Sequence, residues 1–204
     1  MKLIGITGGV GSGKSELLKY IREHYRSRIL LSDEAAHEVY VPGGLIYREL
    51  VDLLEKYPTG NPLLDENGFI IKKEMAARIF VDEDLLTRVN GLIHPAVRVY
   101  IENAVEEERR KGEADFFFLE SALLIEAGYR KYVDEMWYIY CREDVRRMRL
   151  KASRGYSDEK IDSIIRSQIS EEEFRSGCDV IIDNSGELDD AYRQIDQHMK
   201  ELMQ

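Results

Sequence analysis

Residues 3 to 16 read LIGITGGVGSGKSE. Leu3, Ile4, Ile6 and Thr7 make a short apolar run. Gly8, Gly9, Gly11 and Gly13 then crowd a single turn, which Lys14 and Ser15 close. Gly8, Gly13, Lys14 and Ser15 meet the spacing Gly-x4-Gly-Lys-Ser. An apolar run bounded by glycines predicts a buried strand, and Leu17, Leu18 and Ile21 at helical spacing predict a helix from about Lys14. Strand, glycine loop and helix together form an anion cradle. Small residues let backbone N–H groups turn inward, and the helix N-terminus adds unpaired donors and a favourable dipole. In such a cradle Lys14 reaches the β- and γ-phosphates and Ser15 Oγ ligates Mg²⁺. A simple corner would need one glycine and this segment has four, so a site for a nucleoside triphosphate with magnesium is expected.

The rest of the chain fits around that cradle. Arg28 to Ser32, Asp115 to Leu119, Glu135 to Tyr140 and Asp179 to Ile182 read as further short buried strands, separated by helical patterns. This predicts an α/β fold with a five-stranded parallel sheet. Between residues 34 and 111 no central strand is evident; the segment reads as mostly helical. It has a break at YPTGNP (57–62), a turn at DENG (65–68), and a helix expected to begin at Pro95 and end near Gly112. The division expected is a core of about 1–33, 112–141 and 176–204, a helical insertion of about 34–111 and a lid of about 142–175.

The chain carries a net charge of −10 over 204 residues, which disfavours nucleic acid as the main partner. Its two cysteines, Cys141 and Cys178, stand far apart and in no metal-binding array, so a reducing cytoplasmic setting is the simpler expectation. No stretch approaches a transmembrane length. An acidic chain that handles phosphates must gather its cations locally, and it does so from Cys141 to Arg154. Arg142, Arg146 and Arg149 share one helical face, and Arg147, Lys151 and Arg154 share another. Gly155 breaks the run. Ser157 is expected to start the next helix, and Ser170 a third, with Glu173 completing a capping box. An Arg-rich helical hairpin after a strand of such a sheet reads as a lid that closes on phosphates.

Phosphoryl transfer also needs a group that orients the acceptor. Asp33 follows the strand RILLS, at the carboxyl edge where ligands bind in open α/β sheets. It suits a hydroxyl base that also contacts magnesium; position alone equally allows an N-cap of the helix EAAHEVY. Glu120 ends the third strand on the same edge. His94, before Pro95, reads by itself as structural.

Taken together these segments resemble the dephospho-CoA kinase family. ITGGVGSGKS (6–15) is similar to that family's phosphate loop, LSDEAAHEVYVPGG (31–44) to its acceptor segment, and LIHPAVR (92–98) to its His-Pro-x-x-Arg element. LESALLIEAGY (119–129), the stretch 149–174 and CDVIIDNSG (178–186) are similar to its strand-loop, lid and last strand. The resemblance implies a P-loop sandwich and transfer of the γ-phosphoryl of ATP, with Mg²⁺, to the ribose 3′-hydroxyl of dephospho-CoA. It implies Asp33 as base, with Lys14, Arg149 and Arg154 neutralising the moving phosphoryl. Gly9, Gly11, Ser12, Gly13, Lys14, Ser15, Glu16 and Asn184 are the implied nucleotide contacts. Asp33, His94, Arg98 and Glu120 would hold the acceptor, Ser15 and Asp33 the metal. A small-molecule partner, no membrane, and a monomer or weak homo-oligomer are expected. Leu31 stands where the family often has a first Asp, Ala122 where Pro is common, and Glu16 where Thr is usual. The alternatives are another small-molecule P-loop kinase and an ATP-binding switch without transfer.

Overall fold

The computed structural model describes residues 1–204 and separates them into two compact units. The first comprises Met1–Leu30 and Glu108–Gln204, the second Leu31–Glu107.

The first unit is built on a five-stranded parallel sheet with the order β2-β3-β1-β4-β5. Its strands are β1 (Lys2–Thr7), β2 (Ser27–Leu31), β3 (Phe116–Glu120), β4 (Glu135–Tyr140) and β5 (Val180–Asp183). Strands covered on both faces need unbroken apolar runs, and β1, β3 and β4 supply them. Phe117, Phe118 and Trp137 are the largest fully buried side chains, with Phe118 edge-on to Trp137 at 5.7 Å. β1 lies between β3 and β4, pairing Ile6 with Glu120 on one side and with Trp137 on the other. The connection from β1 to β2 runs to one edge of the sheet, and the later connections all run back the other way and across β1 to β4 and β5, so the loop after β1 lies at the carboxyl edge where ligands bind in open α/β sheets.

Helix α1 (Lys14–His24) begins directly after the glycine loop and buries Leu17, Leu18 and Ile21. The hairpin that follows β4 consists of α6 (Glu143–Arg154), α7 (Asp158–Arg166) and α8 (Glu171–Gly177). Ser157 caps α7 by accepting from Lys160 N, and Ser170 with Glu173 forms a complete capping box on α8. Phe174 of α8 stacks on Tyr138 at 4.7 Å, and burial pushes the Tyr138 phenol up to about 12. Helix α9 (Leu188–Leu202) closes the unit through Ala191, Ile195 and Met199. No helix is long and apolar enough to cross a membrane.

The second unit is helical: α2 (Ser32–Glu38), α3 (Tyr47–Leu54), α4 (Lys72–Ile79) and most of α5 (Glu83–Lys111). Its own core gathers Val39, Tyr40, Leu50, Leu54, Leu85 and Val89. The DENG turn is present. Asp65 Oδ1 accepts from the backbone N–H of Asn67 and of Phe69, and Leu64 bridges Ile70. The YPTGNP break is pinned to α4 by Glu74, which accepts from Thr59 and Asn61.

The helix expected from Pro95 is longer than the sequence pattern indicates. α5 starts at Glu83 and passes through Pro95. Proline removes one helical hydrogen bond, here to the carbonyl of Gly91, and crowds that residue. Gly91 has open space where a Cβ would stand. Leu85, Val89 and Ala96 bury one face on both sides of the proline, and that packing outweighs the lost bond.

Candidate active site

The glycine loop lies at the carboxyl end of β1, as its spacing requires, and Gly13 in the left-handed region starts α1. Two close approaches show why glycine is needed. At Gly8, with φ +148°, an added Cβ would lie 2.5 Å from the backbone carbonyl oxygen of Ile139. At Gly13, with φ +90°, it would lie 2.3 Å from Asn184 Nδ2. A Gly13→Ala variant is therefore expected to cost about 1–3 kcal/mol, from the left-handed backbone and the displaced amide. Thermal unfolding would read this as a fall of about 2–4 °C per kcal/mol. An unchanged midpoint would mean that the cradle yields to the methyl group.

Asn184 works from beneath the loop. It is 2% exposed, and its Nδ2 donates to Ser12 O at 2.8 Å. Ser12 Oγ and Asn184 Oδ1 are buried without a partner. A buried hydroxyl left open in a glycine cradle fits an anion, because an unpaired buried donor costs about 1–3 kcal/mol until something accepts from it. Ser15 and Glu16 stand exposed in the first turn of α1. Ser15 thus has an oxygen free to ligate a cation, and the loop as a whole fits a magnesium-bound nucleotide.

Lys14 Nζ donates to Gly8 O at 2.6 Å and lies 3.6 Å from Glu120 Oε1. The pairing of Ile6 with Glu120 sets that carboxylate beside the end of β1. Both side chains are largely covered, at 12% and 18% exposure. The ammonium is therefore held at the loop before any phosphate arrives.

The cationic helix α6 divides its charges. Arg146 crosses the loop: its Nε donates to Val10 O at 3.0 Å and its Nη2 to Gln168 Oε1 at 2.7 Å. Arg149 lies beside Gly13 and points Nη1 at Cys141 Sγ, 3.5 Å away. Burial still holds the Cys141 thiol above its ordinary value, with Arg149 and Arg146 pulling the other way. Arg154 lies away from this group, 5.8 Å over the Tyr156 ring, and lowers that phenol below its usual range together with Lys160. Arg147 and Lys151 are spent on structure. Arg147 pairs with Glu143 and Asp162, and Lys151 with Asp158 at 2.7 Å, which ties α6 to α7.

Arg146 is thus a candidate site residue that the sequence pattern does not single out. The helical spacing puts it on one face with Arg149, and the family resemblance points to Arg149 and Arg154. Which arginine reaches the loop depends on how α6 docks on Gly11, where Leu150 Cγ would meet an added Cβ at 3.0 Å.

In the second unit Asp33 lies in the first turn of α2, two residues past the end of β2. The cap alternative does not hold, because Leu31 occupies the N-cap position and no side chain caps α2. The Asp33 side chain is exposed. His94 and Arg98 stand one turn apart on α5, the first exposed and the second half-buried. Tyr40 belongs to the core, and Tyr47 donates to the carbonyl of Gly68, so both are packing residues.

A family model described as dephospho-CoA kinase matches residues 2–190. The dephospho-CoA kinase of Streptococcus mutans is 32% identical over 201 residues, covering 98% of each chain. A Thermus thermophilus protein of known crystal structure superposes with a TM-score of 0.77 at 29% identity, over 98% of this chain and 97% of that one. The dephospho-CoA kinase from Campylobacter jejuni superposes with a TM-score of 0.75 at 21% identity, over 98% and 96%, and so shares the fold. A phosphate loop with an open buried hydroxyl, an ammonium held at its mouth, and a match along nearly the whole length lead to one assignment: the chain belongs to the dephospho-CoA kinase family.

Proposed function

We propose that this chain transfers the γ-phosphoryl of ATP to the ribose 3′-hydroxyl of dephospho-CoA, giving coenzyme A and ADP. The observation that carries the proposal is the loop itself, with Ser12 Oγ open, Lys14 at its mouth, and Arg146 and Arg149 against it. Such transfers depend on positioning and on neutralising charge spread over the phosphoryl oxygens. Loop N–H groups and Ser12 would hold the β-phosphate, and Lys14 would bridge toward the γ-phosphate. Ser15 and Asp33 would hold Mg²⁺, which when bound offsets charge between the β- and γ-phosphates.

Asp33 would accept the proton of the attacking hydroxyl. Arg149, with Arg146 added to it, would contact the moving phosphoryl. Arg154 is assigned the same role only on closure of the hairpin. His94, Arg98 and Glu120 are proposed to position the acceptor, with Arg98 suited to its phosphates. The helical unit offers a surface for the long arm of the acceptor. Leu45, Ile46, Leu92, Pro95, Ala96 and Val99 line an apolar groove of about 320 Å³.

The test is coupled ADP release with Mg-ATP and dephospho-CoA, run beside AMP and adenosine. Turnover with dephospho-CoA at least about a hundred-fold above the others is expected, the discrimination available to a site built around polar groups of one acceptor. Turnover on another acceptor alone would move the chain to a different small-molecule kinase activity. ATP binding without turnover on any acceptor would make it a nucleotide switch.

A further inference from the structure

His37 stands one helical turn after Asp33 on the same face of α2. The two ring nitrogens have different surroundings. Nδ1 is sealed from solvent and has no hydrogen-bond partner, whereas Nε2 is neither sealed nor bonded. The ring is held edge-on to Tyr40 at 5.2 Å, and Tyr40 is itself 8% exposed in the core of this unit. Of the two neutral tautomers, the one with hydrogen on Nε2 avoids burying an unpaired N–H. The fold therefore presents a fixed, unused donor.

The direction of that donor matters. Helical side chains lean toward the helix N-terminus, so a residue at i+4 covers the turn that carries residue i. By that rule the ring of His37 belongs over the turn of Asp33. Nε2 thus stays open one helical turn from the exposed carboxylate of Asp33.

We propose that His37 is a specificity-determining residue for the acceptor ribose. Its Nε2–H donates to the 2′-hydroxyl while Asp33 engages the 3′-hydroxyl on the adjacent carbon. The assignment rests on the acceptor proposed above. A vicinal diol offers two oxygens side by side, and two side chains one turn apart and leaning together match it. The pair fixes which hydroxyl faces the phosphoryl donor, and it selects ribose over 2′-deoxyribose.

The test is a cycle between enzyme and substrate variants. Wild type, His37→Phe and His37→Gln would be assayed with dephospho-CoA and with its 2′-deoxy analogue. Binding of both would also be measured by calorimetry without ATP. Wild type should lose about three- to ten-fold in kcat/KM and in affinity on the 2′-deoxy compound, the worth of one neutral hydrogen bond. His37→Phe keeps the ring against Tyr40 and should show that loss already on dephospho-CoA, with no further loss on the analogue. His37→Gln restores a donor and should recover discrimination. An undiminished 2′-deoxy penalty in His37→Phe, with turnover intact, would overturn the assignment alone. Wild type inert toward dephospho-CoA would overturn both it and the proposed function. If His37→Phe does not fold, the calorimetric comparison of wild type with His37→Gln decides: no 2′-deoxy penalty in wild type is fatal to the assignment.

Discussion

Asp33→Asn is expected to lower kcat on dephospho-CoA by about a hundred- to ten-thousand-fold, the range of a positioned general base. Affinity for the nucleotide itself should change little, because its recognition is assigned to the glycine loop, whereas the metal role proposed for Asp33 should appear as a raised magnesium requirement. The carboxylate is exposed in the first turn of α2 and is not used as a cap. Asparagine matches its size and keeps a polar group at the helix start, so folding stability should fall by no more than the dipole contribution of about 0.3–1 kcal/mol. What the amide lacks is a site for the hydroxyl proton. Single-turnover kinetics with saturating ATP would isolate the chemical step from product release. Full activity in the variant would make Asp33 an orienting group at most and shift the base role to Glu120, the carboxylate held 3.6 Å from Lys14.

Lys14→Ala is expected to reduce kcat by about a thousand-fold, comparable to removing one preorganised donor from a water-poor site. Its second consequence is structural. The ammonium donates to Gly8 O at 2.6 Å and faces Glu120, both in largely covered positions. Truncation leaves a largely covered carboxylate with one cation fewer and a loop carbonyl without its donor. A loss of about 1–3 kcal/mol in stability should therefore accompany the catalytic loss. Lys14→Arg should not restore activity, because a planar guanidinium cannot occupy the place of a compact ammonium on a flexible stem. Thermal unfolding and steady-state assays on the two variants separate the effects. A kcat within ten-fold of wild type in Lys14→Ala would transfer the charge role to Arg146 and Arg149.

Several features were legible in the residues because they rest on local rules. The strand Glu135–Tyr140 has the bounds its apolar run predicted, and α1 begins at Lys14. The capping box of Ser170 and Glu173 forms as its spacing implied. Four glycines before Lys-Ser announced a phosphate cradle, since few other uses justify so much backbone freedom in one turn. Pro95 misled for the complementary reason. Its local preference for a helix start was overridden by apolar packing on both sides of it.

By itself, then, the sequence determined the individual strands, the glycine loop after the first of them and the helices whose caps and periodicity are local. These depend on residues within a few positions of one another. Only the tertiary structure decided which cations of α6 serve the site. Arg146 reaches Val10, 136 residues earlier, whereas Arg147 and Lys151 are neutralised by acids of α7. The same holds for Asn184, whose amide supports Ser12 from 172 residues away, and for the open hydroxyl of Ser12. A charge pattern along one helix does not encode what that helix docks against. The docking follows from apolar contacts such as Leu150 on the glycine loop, whose partners lie far apart in the chain.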